Sequence, residues 1–132
     1  MVTRLHDVIG SHIDQVGPIA VGASAATAYV AAWRAPFACS VIECYVISLD
    51  AVTGDNTNTH NFNVDGFDAG TTERGNLDLA TGTNLAAGTP SAFSFVDLSA
   101  TAGQVLRLEA EEIGTGQAAA HTYTWVVEYL GN

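Results

Sequence analysis

"HTYTWVVEYL", residues 121–130, alternates along its whole length. Tyr123, Trp125, Val127 and Tyr129 share one face of an extended chain, and Thr122, Thr124 and Glu128 lie on the other. Such alternation marks a strand with one buried face. Trp125, at its middle, is expected in a core. "FACSVIECYVISL" (37–49) is a longer run with a different pattern. Phe37, Cys39, Val41, Tyr45, Ile47 and Leu49 occupy its odd positions, and Ile42, Cys44 and Val46 its even ones. Apolar character on both faces predicts a strand covered on both sides for part of its length.

Six further short runs read the same way: 17–22, 26–33, 60–67, 75–81, 91–98 and 104–112. Gly, Asn, Asp, Thr and Pro separate them, and β-branched and aromatic residues within them favour strands. About eight short strands with turn signals between them predict an all-β chain, an antiparallel, jelly-roll-like β-sandwich. The sandwich domain is expected over 21–132. Residues 1–20 are expected as an N-terminal arm or a short helix, because Val2, Leu5, Val8, Ile9, Ile13 and Val16 recur at helical spacing over 2–16, with Asp7 and Asp14 on the wet face.

The chain has 132 residues and a formal net charge of −10, with four arginines and no lysine. Phosphate binding needs clustered Lys and Arg, so the charge balance argues against nucleic acid, and no nucleic-acid partner is expected. The same balance argues against anionic membrane surfaces. The alanine-rich run over 17–33 is too short and too interrupted to span a bilayer, and no secretory signal opens the chain. Cys39 and Cys44 lie on one strand. Their Cα atoms would stand about 16 Å apart, against the limit of about 7 Å for a disulfide. Their odd separation predicts opposite faces.

The stretch "AVTGDNTNTHNFNVDG" (51–66) concentrates Asp55, Asn56, Asn58, His60, Asn61, Asn63 and Asp65. Asp55, Asn58 and Asp65 are the weak candidates for a calcium site. They lack the central Gly and closing Glu of a helix–loop–helix calcium loop. His60 has no second imidazole or thiolate at zinc-ligand spacing. Thr53-Gly54-Asp55-Asn56 is a turn signature, since Asn and Asp bond their own backbone. The stretch is therefore read as a connection feeding a polar-faced strand, with no cofactor and no metal expected. No serine lies in a nucleophile elbow. The acidic pairs Asp65/Asp68 and Glu109 with Glu111 or Glu112 are of a kind common on acidic surfaces. No enzymatic activity is expected.

Three stretches in order carry a resemblance: "WRAPFACSVIECYVI" (33–47), "VTGDNTNTHNFNV" (52–64) and "LSATAGQVLRLEAEEIGTGQAAAHTYTWVVEY" (98–129). Together they make the chain resemble small tailed-phage head decoration proteins, the capsid-stabilising (cement) β-sandwich type. The resemblance spans about the C-terminal three quarters of the chain. Its motifs are turn and strand signatures, and the transfer of function is by analogy.

The resemblance implies a structural virion protein on the outer surface of the capsid. It would be a homotrimer at threefold and quasi-threefold positions, with the major capsid protein as partner. On that reading Val2, Arg4, Leu5, Ile9 and Ile13 reach the capsid, and Trp33 and Arg34 are further interface candidates. Arg107 is expected in a surface salt bridge with Glu109 or Glu111. The alternative is a carbohydrate- or cell-surface-binding module of a spike, fibre or tail, with Trp33, Tyr29 or Tyr123 stacking on a sugar ring.

Overall fold

The computed structural model describes residues 10–67 and 72–131. These form ten strands and no helix: β1 (Ser11–Val21), β2 (Ala28–Arg34), β3 (Cys39–Ser48), β4 (Thr59–Phe67), β5 (Glu73–Leu77), β6 (Ser91–Ala92), β7 (Ser94–Phe95), β8 (Leu98–Ala100), β9 (Val105–Ile113) and β10 (His121–Gly131). They make two five-stranded sheets. The first runs β1-β10-β3-β6, with β8 also on β3, and the second runs β2-β9-β4-β5-β7. All pairings are antiparallel. The all-β sandwich is the fold expected from the sequence, and β1 to β4 alternate between its sheets.

β10 behaves as its alternation requires. Tyr123, Trp125, Val127 and Tyr129 are buried between the sheets. Phe62 of β4 meets the Tyr123 ring edge-on, with ring centroids 4.9 Å apart. From the second sheet, Val64, Leu106 and Leu108 complete the same core.

β3 corrects the reading of its two apolar faces. Glu128 of β10 pairs with Glu43, and the next residue, Tyr129, pairs with Val41. Ile42 is therefore an extra residue, a β-bulge, and a bulge reverses the inside–outside phase of the strand. Cys39 and Val41 point inward before it, and Cys44, Val46 and Ser48 point inward after it. The strand is not doubly covered. One inner face is continued by odd residues and then by even ones. For the same reason Cys39 and Cys44 lie on the same buried face, not on opposite faces, and both are free thiols. Burial pushes the Cys44 thiol up to about 12.

The helix expected over 2–16 is corrected where the structure describes it. Residues 11–16 belong to β1, which runs through the expected boundary at residue 20 and pairs with β10 from Ser11↔Leu130 to Val21↔His121. Period two replaces the helical period, so His12, Asp14 and Val16 share one side and Ser11, Ile13 and Gln15 the other. Asp14, expected on a wet face, turns inward. Its Oδ2 accepts the Trp33 indole N–H at 2.7 Å and the Tyr129 hydroxyl at 3.1 Å. Trp33 lies in the second sheet and Tyr129 in the first, so one carboxylate joins both sheets at this edge. His12 stacks on Tyr129 there, and Phe37 meets it edge-on.

The run 91–98, read as one strand, is broken into β6, β7 and part of β8. It crosses from the first sheet to the second and back, with Phe93 buried at the first crossing.

Replacing Asp14 by Ala leaves the buried Trp33 indole without its acceptor. A loss of about 1–3 kcal/mol is expected in chemical denaturation, and Asp14→Asn recovers part of it. A second expectation concerns alkaline pH. Tyr129 is pushed up to about 12, first by burial and then by the Asp14 charge. Tyr29, Tyr45 and Tyr123 are also raised. A raised phenol favours the folded state below the unfolded value of about 10, and that contribution is lost as pH climbs through the folded value. Absorbance at alkaline pH should therefore show tyrosinate forming together with loss of the fold, above the range of free tyrosine. A titration complete near pH 10 in folded protein would contradict it.

Candidate interaction surface

A sandwich has two outer faces, and here they differ in chemistry. On the second sheet the outward residues are polar and bonded to one another. Asp65 of β4 accepts the Tyr29 hydroxyl at 2.7 Å. Asn63 donates to Glu109 at 3.1 Å and to Glu111 at 3.3 Å. Arg107 lies opposite Asp65 in register, with its guanidinium 4.1 Å from the centre of the Tyr29 ring.

On the first sheet the outward residues are mixed: Ser11, Gln15, Thr122, Thr124, Glu43 and Glu128 are polar, and apolar side chains cluster among them. Ile13 of β1 is 60% exposed. Tyr45 and Ile47 of β3 stand half-buried, and Val126 of β10, 6% exposed, forms the floor between them and Ile13. With Pro90 these side chains line an open cleft of about 370 Å³. Leu130 and Leu49 extend the exposed apolar area beyond it, at 38% and 69% exposure.

Glu128 borders the cleft. It faces Glu43 directly across the β3–β10 pair. The Tyr45 hydroxyl donates to Glu43 Oε2 at 2.6 Å and stands 3.2 Å from Glu128 Oε2. Ser11 donates to Glu128 Oε1 at 2.7 Å. The Glu43 bond, then burial, then the Glu128 bond raise the Tyr45 pKa and keep the phenol protonated as a donor. Like charges directly opposite on a sheet are unfavourable. The three arginines among the described residues, Arg34, Arg74 and Arg107, all belong to strands of the second sheet.

The residues singled out from the sequence fall as follows. Val2, Arg4, Leu5 and Ile9 lie outside the described residues, as does Asp68. Ile13 is on the apolar outer face. Trp33 is 4% exposed and bound to Asp14, so in this chain it is a core residue. Arg34 is exposed at the end of β2, with its guanidinium beside Gly103. Of the aromatics considered for sugar stacking, Trp33 and Tyr123 are buried and Tyr29 reaches the surface.

Asp55, Asn58 and Asp65 do not converge. Asp55 Oδ1 accepts the backbone N–H of Thr57 at 2.7 Å, an Asx turn. Asn58 Oδ1 accepts the backbone N–H and the hydroxyl of Thr115, both at 3.0 Å. Asp65 is seven residues further along β4, about 23 Å from Asn58 for an extended strand. The polar stretch is a knot of connections. Asn56 and Thr81 exchange backbone-to-side-chain bonds, and Gly54 packs so closely on the backbone of Ala80 and Thr83 that a Cβ there would collide. Gly114 has φ +64° and lies against Thr57 equally closely. His60 is buried, donates from Nε2 to Ala25 O at 2.7 Å and accepts the Gln117 N–H at Nδ1 at 3.4 Å.

No family model and no curated protein matches the chain. Among solved structures it is similar to a chain of the cyanophage Pam1 capsid asymmetric unit, with a TM-score of 0.55 and 19% identity, over 92% of this chain and 85% of that one. At that identity the likeness is one of fold, and it extends over nearly all of both chains.

Because the three oxygen-bearing side chains are already committed to turns and to Tyr29, millimolar calcium and chelator should leave the melting temperature unchanged. A calcium-dependent rise of several degrees would mean that the 53–65 connection holds the ion.

Proposed function

We propose that this chain is a structural protein of a tailed-phage virion that decorates the outer surface of the capsid and stabilises it. It acts as a trimer at threefold and quasi-threefold positions, with the major capsid protein as partner. The observation that carries this reading is the shared fold with a chain of a cyanophage capsid asymmetric unit over 92% of the length. The ordered strand and turn signatures of the sequence support it independently.

The physical role asked of such a protein is modest. It need only bind the assembled shell more tightly than its separate subunits, and linkage then stabilises the shell. A rigid sandwich with an apolar cleft on one outer face and a bonded polar network on the other suits that task. The acidic composition, at −10 with no lysine, also favours solubility of many copies held close together.

Light scattering of the purified protein should give three times the chain mass of 13.7 kDa. The protein should also co-sediment with phage heads that lack it and raise their temperature of disruption. A monomer that stays in the supernatant would overturn the proposal.

A further inference from the structure

We propose that the outer face of the first sheet is the docking surface for an extended segment of another virion protein. That segment would place apolar side chains in the cleft among Ile13, Tyr45, Ile47 and Val126, and an arginine on the Glu43–Glu128 pair. The virion as the source of the partner rests on the reading above. The chemistry of the surface rests on the geometry alone.

The first part is the apolar area. Ile13, Leu49 and Leu130 are exposed, and the cleft of about 370 Å³ between β1, β10 and β3 is large enough for one or two aliphatic side chains. On the second sheet the described outward side chains at the centre are polar. Its outward side chains bond one another across β2, β9 and β4.

The second part is the charge. Glu43 and Glu128 are held opposite each other, and their hydroxyl partners Tyr45 and Ser11 bring no positive charge. A guanidinium satisfies this arrangement better than an ammonium, because its planar fork presents several N–H groups to two carboxylates at once. Desolvating the site on docking strengthens that pairing. A second copy of this chain is the wrong occupant. Face-to-face self-association would bring two glutamate pairs together, and neither sheet would contribute a described arginine to the contact.

Three variants test this: Ile13→Glu, the double Glu43→Gln with Glu128→Gln, and Glu111→Gln on the second sheet as control. All change outward side chains, so each should melt near the wild type. Binding to heads lacking the protein is measured at two salt concentrations. At low salt the first two variants should bind at least tenfold more weakly, the double variant should lose most of its salt dependence, and the control should match wild type. If wild type binds and the two face variants bind equally well, the face is not the docking surface and the capsid reading survives.

If wild type does not bind heads, the capsid reading falls. The face is then judged by an amide-resolved NMR titration with the peptide acetyl-Val-Arg-Leu-Arg-Val-amide and its Arg-to-Glu counterpart. Shifts at Ile13, Tyr45, Ile47 and Val126 with the arginine peptide alone uphold the surface. Absence of those shifts overturns it.

Discussion

One extra residue in β3 sets which of its side chains reach the core and which reach the outer face of the first sheet. The bulge at Ile42 reverses the phase of the strand, so that Cys44, Val46 and Ser48 enter the core and Glu43, Tyr45 and Ile47 leave it. The bulge lets Cys39 and Val41 face inward on one side of Ile42, while on the other Glu43 opposes Glu128 and Ile47 stands outside. The bulge lies opposite the step from Glu128 to Tyr129, the one irregularity in a pairing otherwise regular from Tyr123 to Gly131. β10 stays in phase throughout. The adjustment is made by its neighbour, which is what the uninterrupted inner face of Tyr123, Trp125, Val127 and Tyr129 requires.

The sheets divide the remaining work by chemistry. The second sheet uses its outward positions for a self-satisfied network in which Asn63 bridges two glutamates and Tyr29 bonds Asp65 beneath Arg107. The first sheet leaves aliphatic groups and a like-charged pair facing water. Asp14 ties the two together at the β1–β2 edge through one bond to each side. The polar connections at 53–58, 79–84 and 113–117 brace one another through Asn56, Asn58 and Gly54, which explains why so many amide side chains crowd that part of the chain.

Alternation made β10 legible from its residues alone, and β2, β4 and β9 followed from the same signal. β3 was legible as a strand but not in phase, because two-sided apolar character arises equally from double coverage and from a bulge. Register, not composition, separates the two. Residues 11–16 misled for a related reason: Ile13 and Val16 fit a helical spacing, yet Asp14 fits only a strand whose inner side meets Trp33. The segment 91–100 was blurred because pieces of two or three residues are shorter than any periodicity can reveal. The polar stretch 51–66 was legible as a turn through Asp55 and Asn58, whose local bonding follows from their side chains. The outer face of the first sheet was not, since Ile13, Glu43 and Glu128 come from distant parts of the chain and only strand order brings them together.

The broken segment 91–100 has a consequence for crowding. β6, β7 and β8 finish their side of both sheets, and each offers only two or three residues of unpaired backbone. Long flat edges template the growth of one sheet into the next. On this side the ladder is too short to recruit a neighbour. At the opposite side β1 and β2 are joined across the sandwich by Asp14, and Pro18 interrupts the hydrogen-bonding edge of β1. Along the β6–β8 side, copies held close together have little free backbone with which one sheet could grow into the next.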